Sequence, residues 1–289
     1  MKSAYVSLIF AAILYGSIST IAKPALNTIN PILLSSLIYL IIGISLTTIV
    51  KMKNNVSNVD GYKLKLIFLD SICGAVIGPI LYFYGLTLTE ASVASLLINT
   101  EFLFSILLAF YILKERPGKT TYIGIACILG GLLILNIKFD DSNFLQNNNI
   151  IGNVFIIGAT FFWALDNNIS KIILQKKTPI IKIMQIKSLL GGLVSLAIIP
   201  ILNIPLTVNL CQIPNLLFLS LGGFAGSLFL FLKGMQRVGT ITSVMIFSTS
   251  SIFGILFALI FLQESIDVWN FILSVVLVLA GIYLITRNI

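Results

Sequence analysis

Long apolar runs follow one another along this chain, each of roughly membrane length. Short polar segments separate them: "KPALNTINP", "KNNVSNVDGYK", "KERPGK" and "KFDDSNFLQNNN" gather the asparagine, proline, glycine and lysine that loops require. A hydrocarbon core about 30 Å thick takes roughly 20 apolar residues per spanning helix. The pattern predicts ten such helices, at 3–23, 31–50, 64–86, 91–113, 119–137, 151–172, 180–201, 213–233, 240–262 and 268–286. The short alternating segments of a membrane β-barrel do not stand out. The expected fold class is therefore all-α, a polytopic membrane protein with ten transmembrane helices.

Composition agrees with that reading. The 289 residues are 58% hydrophobic and 10% charged, whereas about a quarter of a soluble domain is charged. The first apolar run begins after Lys2 and reads as a span rather than a cleavable leader. A net charge of +8 would suit nucleic acid in a soluble protein. In a membrane protein it marks the cytoplasmic face, and no nucleic-acid partner is expected. With the N-terminus inside, 16 of the 18 Lys and Arg fall on the cytoplasmic side; only Lys23 and Lys138 fall outside. Both termini are thus expected in the cytoplasm, with the chain crossing the cell membrane.

The same composition removes several chemistries. There is no histidine, the commonest catalytic base and metal ligand. Cys73, Cys127 and Cys211 lie far apart in or beside apolar segments and read as small packing residues. No Walker-type phosphate loop occurs. Neither an enzyme nor a bound metal or cofactor is expected.

The two halves resemble each other. "YGSISTIAKPALNTINP" (15–31) aligns with "WALDNNISKIILQKKTP" (163–179), so that Tyr15 meets Trp163, Lys23 meets Lys171 and Pro31 meets Pro179, 148 positions apart. Residues 85–115 align with 234–264, placing Gly85 on Gly234 and Glu115 on Glu264, 149 apart. Each copy, 1–149 and 150–289, carries five expected spans, and an odd number turns the second copy over in the membrane. Two inverted repeats give a midplane site and two related states, open to either side in turn.

On these features the chain resembles the drug/metabolite transporter superfamily, in particular its EamA family. The residues that carry the likeness are the aromatic–small pairs Tyr15-Gly16 and Trp163-Ala164 and the helix endings at Glu115 and Glu264. The glycine-rich "GIACILGGLLIL" and "VLVLAGIYLI" of the fifth and tenth spans add to it. The chain departs from the family where a proline usually opens the "PLF"-like stretch of the fourth and ninth spans. Here "EFLF" (101–104) and "SSIF" (250–253) stand.

Ionisable groups within spans are the candidate chemistry, since each costs about 2.5 kcal/mol or more to insert. Asp166 lies near the middle of the sixth span with Trp163 and Ser170 on its face. A carboxylate beside an indole can clamp an ammonium group by charge and cation–π attraction; an interhelical hydrogen-bond network is the structural alternative. Glu101 lies mid-span with Ala94 and Ser105 on its face, while Ser92, Ser95 and Asn99 fall roughly opposite. A carboxylate in apolar surroundings suits proton coupling; the alternative is a protonated acid making one structural hydrogen bond. Lys63, Lys65 and Asp70 are expected to reach water at the cytoplasmic end of the third span. Lys187 is a candidate alongside Glu101 and Asp166, with snorkelling as its alternative, and Lys182 is expected to snorkel. The hydroxyls of "STSS" (248–251) can line a path or bond back to their own helix. Glu115 and Glu264 read as closing helix ends or pairing with neighbours such as Arg116.

The function expected is a secondary transporter moving a small polar or amine-bearing metabolite by alternating access. The candidate substrate-binding residues are Asp166, Trp163, Ser170, Tyr15 and Asn99, and Glu101 is the candidate proton-coupling group. A non-transporting scaffold or sensor is the alternative, and an intramembrane enzyme a more distant one. The expected partners are a small-molecule metabolite and the lipid bilayer, with the chain acting as a monomer or homodimer.

Overall fold

The structure is a computed structural model that describes residues 2–52, 61–113, 119–136, 148–174, 179–238, 246–264 and 268–286. Every regular element among them is helical. In chain order these are α1 (Lys2–Ala25), α2 (Pro31–Met52), α3 (Gly61–Ser71), α4 (Gly78–Leu88), α5 (Ala91–Leu97), α6 (Thr100–Leu113) and α7 (Lys119–Asn136). There follow α8 (Asn148–Leu174), α9 (Ile180–Ile201), α10 (Ile213–Leu217), α11 (Ser227–Val238), α12 (Ser250–Phe261) and α13 (Val268–Thr286). Six helical stretches among the described residues are long and apolar enough to cross a membrane: Ala4–Ala25, Pro31–Val50, Leu64–Leu88, Ile150–Ser170, Ile180–Ile201 and Leu210–Gly234. Shorter apolar helices occupy Tyr122–Gly131, Ser250–Phe261 and Trp269–Leu284. The start of the span expected at 240–262 and the two segments holding Glu115 with Arg116 and Lys138 lie outside the described residues.

Two of the expected spans contain a π-helical stretch. Ile72–Ile77 joins α3 to α4, and Phe218–Gly226 joins α10 to α11. The first precedes Gly78-Pro79, where the proline has no N–H to donate to the preceding turn. A π turn absorbs the resulting mismatch. Tyr39 then donates to the Gly74 carbonyl at 3.0 Å. The second stretch contains Gly222, Gly223 and Gly226. The α4 and α11 segments that follow start at Gly78 and Ser227, 149 positions apart.

Two other spans are interrupted by a tight turn. Between α5 and α6 the chain turns at Ile98–Asn99, with Asn99 N–H bonding Leu96 O (3.1 Å) and Glu101 N–H bonding Ile98 O (3.0 Å). Before α12 it turns at Ser248–Thr249, where Thr249 N–H bonds Ile246 O (3.1 Å). Neither turn contains a proline. Instead Thr100 Oγ1 donates to Leu97 O at 2.7 Å and Thr249 Oγ1 donates to Ile246 O at 2.6 Å. Each hydroxyl takes a carbonyl three residues back and competes with the helical ladder. Of the two roles open to the "STSS" hydroxyls, Thr249 and Ser251 adopt back-bonding, Ser251 donating to Ser248 O at 3.0 Å.

Glycines set the closest helix crossings. A Cβ on Gly43 would meet Leu189, and one on Gly192 would meet Leu40. Position rises on α2 as it falls on α9, so these two helices run antiparallel. Gly131 faces Ser274 and Val278 while Gly281 faces Gly124 and Ile128, so α7 and α13 also run antiparallel. Further pairings join α4 to α8, α1 to α11, α6 to α8 and α1 to α12. The buried core runs between them through Leu33, Ile38, Tyr82, Phe83, Leu97 and Ala159.

Candidate functional site

Helix α8 carries most of the polar groups at the centre. Asp166 is 7% exposed and lies over Gly74, in the first π-helical stretch. A Cβ at Gly74 would overlap its carboxyl, so a residue without a side chain is required for that approach. Lys187, on α9, reaches across and donates to Asp166 Oδ1. The same ammonium stands 3.7 Å from Asp70 Oδ2, at the end of α3, and Ser170 Oγ donates to Asp70 Oδ1 at 3.0 Å.

Asp70 therefore corrects the expectation that it reaches water. It has no exposed surface, because α8 and α9 both pack against α3 and cover it. Lys65, one turn and a half earlier, is exposed as expected. Lys187 likewise does not snorkel: its partners are the two buried aspartates.

Trp163 is 7% exposed and stands against the Gly78 backbone. Its ring lies 5.3 Å from Tyr82, and the aromatic row continues through Phe83 and Phe224 to Tyr39 with centroid spacings of 5.4 to 6.2 Å. The indole and carboxylate expected as an ammonium clamp thus face different neighbours. Asp166 already holds an ammonium, that of Lys187, and Trp163 belongs to the aromatic row.

A second polar group lies next to this one. Asn167, the neighbour of Asp166 in sequence, donates to Glu101 Oε1 at 2.6 Å. Asn168 donates to Ala164 O at 2.8 Å and to Ser105 O at 3.3 Å. Glu101 is half-buried at the start of α6. Tyr15 is half-buried and stacks on Phe247 at 4.9 Å, which in turn meets Phe231 at 4.6 Å. Asn99 sits in the α5–α6 turn, 6% exposed, and its amide nitrogen has no hydrogen-bond partner among the described residues. The structure so places Glu101 and Asn99 at that turn, Tyr15 against Phe247 beside the turn at Ser248–Thr249, and Asp166 and Ser170 around Lys187. The turn also puts α5 and α6 out of register, so a single helical wheel through Ser92, Asn99 and Glu101 does not apply.

One end of the bundle is tied by charge. Lys23 donates to Leu86 O at 2.7 Å and to Thr89 O, capping the last turn of α4. Glu264 accepts from Ala91 N–H (2.7 Å), Ser92 N–H (2.9 Å) and Ser92 Oγ (2.6 Å), closing the start of α5. Its expected role in closing a helix end holds, and the helix it closes belongs to the other half of the chain. Asp70 and Lys187 both stand out in the sequence as charges in or beside spans; their partnership does not. Their signal was depth: Asp70 stands six residues into the expected third span, about 9 Å along a helix.

Comparison with known proteins gives a consistent picture. The model of the EamA-like transporter family matches twice, over residues 2–137 and 150–287. An uncharacterized transporter of Methanothermobacter thermautotrophicus is 32% identical over 297 residues, covering 98% of this chain and 86% of the relative. An uncharacterized transporter of Clostridium kluyveri is 25% identical over 299 residues, covering 97% of this chain and 92% of the relative. A solved crystal structure superposes with a TM-score of 0.69 at 17% identity, covering 98% of this chain and 96% of that one.

Proposed function

The chain belongs to the EamA-like transporter family, a multi-pass membrane protein, and from that premise we propose a secondary carrier working by alternating access. Its two halves, 1–149 and 150–289, act as five-span copies inverted in the membrane, with both termini in the cytoplasm. It moves a small polar or amine-bearing metabolite, with proton coupling through Glu101.

The observation that carries this reading is the reciprocity of contacts between the halves. Gly43 meets Leu189 and Gly192 meets Leu40; each contact becomes the other when 149 is added or subtracted. The matched helices α2 and α9 run antiparallel, as inverted copies would. Pairings map likewise: α4 with α8 answers to α11 with α1, and α6 with α8 to α12 with α1. The tight turns at Ile98–Asn99 and Ser248–Thr249 recur about 149 positions apart and bring irregular backbone into the interior. Carriers bind substrate at such interrupted helices.

In this reading Tyr15 and Asn99 contact the substrate at the α5–α6 turn, where Asn99 offers an unpaired amide. Glu101, held by the Asn167 amide at Oε1, meets the amine or the proton. Trp163 closes the site against Tyr82. Asp166 and Ser170 act on substrate through the charge they share with Lys187 and Asp70.

The test is uptake by proteoliposomes of the purified chain, screened with labelled metabolites under an imposed pH gradient. Glu101→Gln should weaken the dependence on the gradient while leaving exchange at equal pH. Unchanged uptake and pH dependence in Asp166→Asn would remove Asp166 from the mechanism. Absence of any transport across the panel would favour the scaffold or sensor.

A further inference from the structure

Among the described residues, the aspartate–lysine cluster at the junction of α3, α8 and α9 has one carboxylate more than it has ammonium groups. Asp70 has no exposed surface, Asp166 is 7% exposed and the Lys187 side chain is 12% exposed. An uncompensated charge in such surroundings costs several kcal/mol. The deficit has an address. Asp70 Oδ2 is buried without a hydrogen bond among the described residues, since Lys187 at 3.7 Å is too distant to donate one. Ser170 serves only the other oxygen, Oδ1. The Lys187 ammonium contacts both carboxyls, so Asp70 and Asp166 stand on either side of a single positive charge. Two ionised carboxylates are acceptors alone, so a bond between them requires a hydrogen.

We propose that Asp70 and Asp166 share one exchangeable proton, making this cluster a proton site of the carrier besides Glu101. The inference rests on the carrier reading for its role in transport. The proton comes from water and binds Asp70 Oδ2, which then donates to the Asp166 carboxylate. The cluster becomes neutral, with Lys187 charged, Asp166 ionised and Asp70 protonated; release returns it to a net negative charge. A sodium ion would need several oxygen donors around it, and the ammonium of Lys187 already takes the central place. Among the described residues, the other titratable groups facing the cluster are Tyr39 from α2, Cys73 from the π-helical stretch and, farther off, Glu101 from α6. Asp70 comes from the first half of the chain, Asp166 and Lys187 from the second, so gain or loss of the proton changes the attraction between halves.

Trp163 stands one turn from Asp166 and supplies the readout, with Trp269→Phe removing the other indole. The full chain in detergent micelles is titrated from mildly acidic to mildly alkaline pH while Trp163 fluorescence is followed. We expect a one-proton step, lost completely in Asp70→Asn, shifted in pH but kept in Asp70→Glu, and unchanged in Glu101→Gln. Replacing sodium by choline at constant ionic strength should leave it in place. No step in the parent chain, a step that survives Asp70→Asn in folded protein, or a step that follows sodium would overturn the proposal. A titration obeying these rules in a protein that transports nothing would uphold the proton site and sink the carrier reading. Transport without the titration would do the reverse.

Discussion

At the scale of single residues, the strictest demand falls on Gly74. It admits the Asp166 carboxyl to the π-helical stretch, and any added Cβ would overlap that group. Overpacking of this kind costs about 1–3 kcal/mol. Gly74→Ala should therefore lower the thermal midpoint in detergent, whereas Gly130→Ala, where nothing lies within 4 Å of the added carbon, should not. Lys187 makes a second residue-scale prediction. Lys187→Met leaves two buried carboxylates unanswered and should cost about 3–5 kcal/mol; adding Asp166→Asn should restore part of that. A double-mutant cycle by denaturant unfolding measures the coupling. The sequence showed Asp166 and Glu101 as costly residues within spans, and both lie in the polar interior. It hid the partnership with Asp70, because that depends on α8 and α9 closing over α3 from more than 90 positions away.

At the scale of elements, helix ends carry the interpretable chemistry. Glu264 satisfies two orphan N–H groups of α5 and the Ser92 hydroxyl. Glu264→Ala should destabilise the protein by about 1–3 kcal/mol, and Glu264→Gln by less, as read from thermal unfolding. Apolar run length located the six membrane-length helices among the described residues. Run length could not distinguish an unbroken helix from one with a tight turn or a π stretch, since all present the same greasy residues to lipid. The deciding groups are small: the Thr100 and Thr249 hydroxyls, whose back-bonds replace the expected proline.

At the scale of the whole molecule, orientation and motion are open to direct test. Cys211 is exposed in the segment between α9 and α10. With cytoplasmic termini it faces outward, so a membrane-impermeant maleimide should label it in intact cells; labelling only after lysis would reverse the topology. The Glu264–Ser92 contact ties the two halves at one end. In a chain with Cys73, Cys127 and Cys211 replaced, a disulfide between Ser92→Cys and Glu264→Cys should stop transport, and reductant should restore it. Transport that persists in the crosslinked protein would mean that this end never opens.

The interruptions made by Thr100 and Thr249 differ in kind from those a proline makes. A pyrrolidine ring is a permanent fault in a helix. A threonine rotor can let go of its carbonyl in one torsional step, after which the main chain is free to heal into a continuous rod. A chain built this way can bend and straighten its central rods without the missing donor and the ring clash that a proline would leave in place.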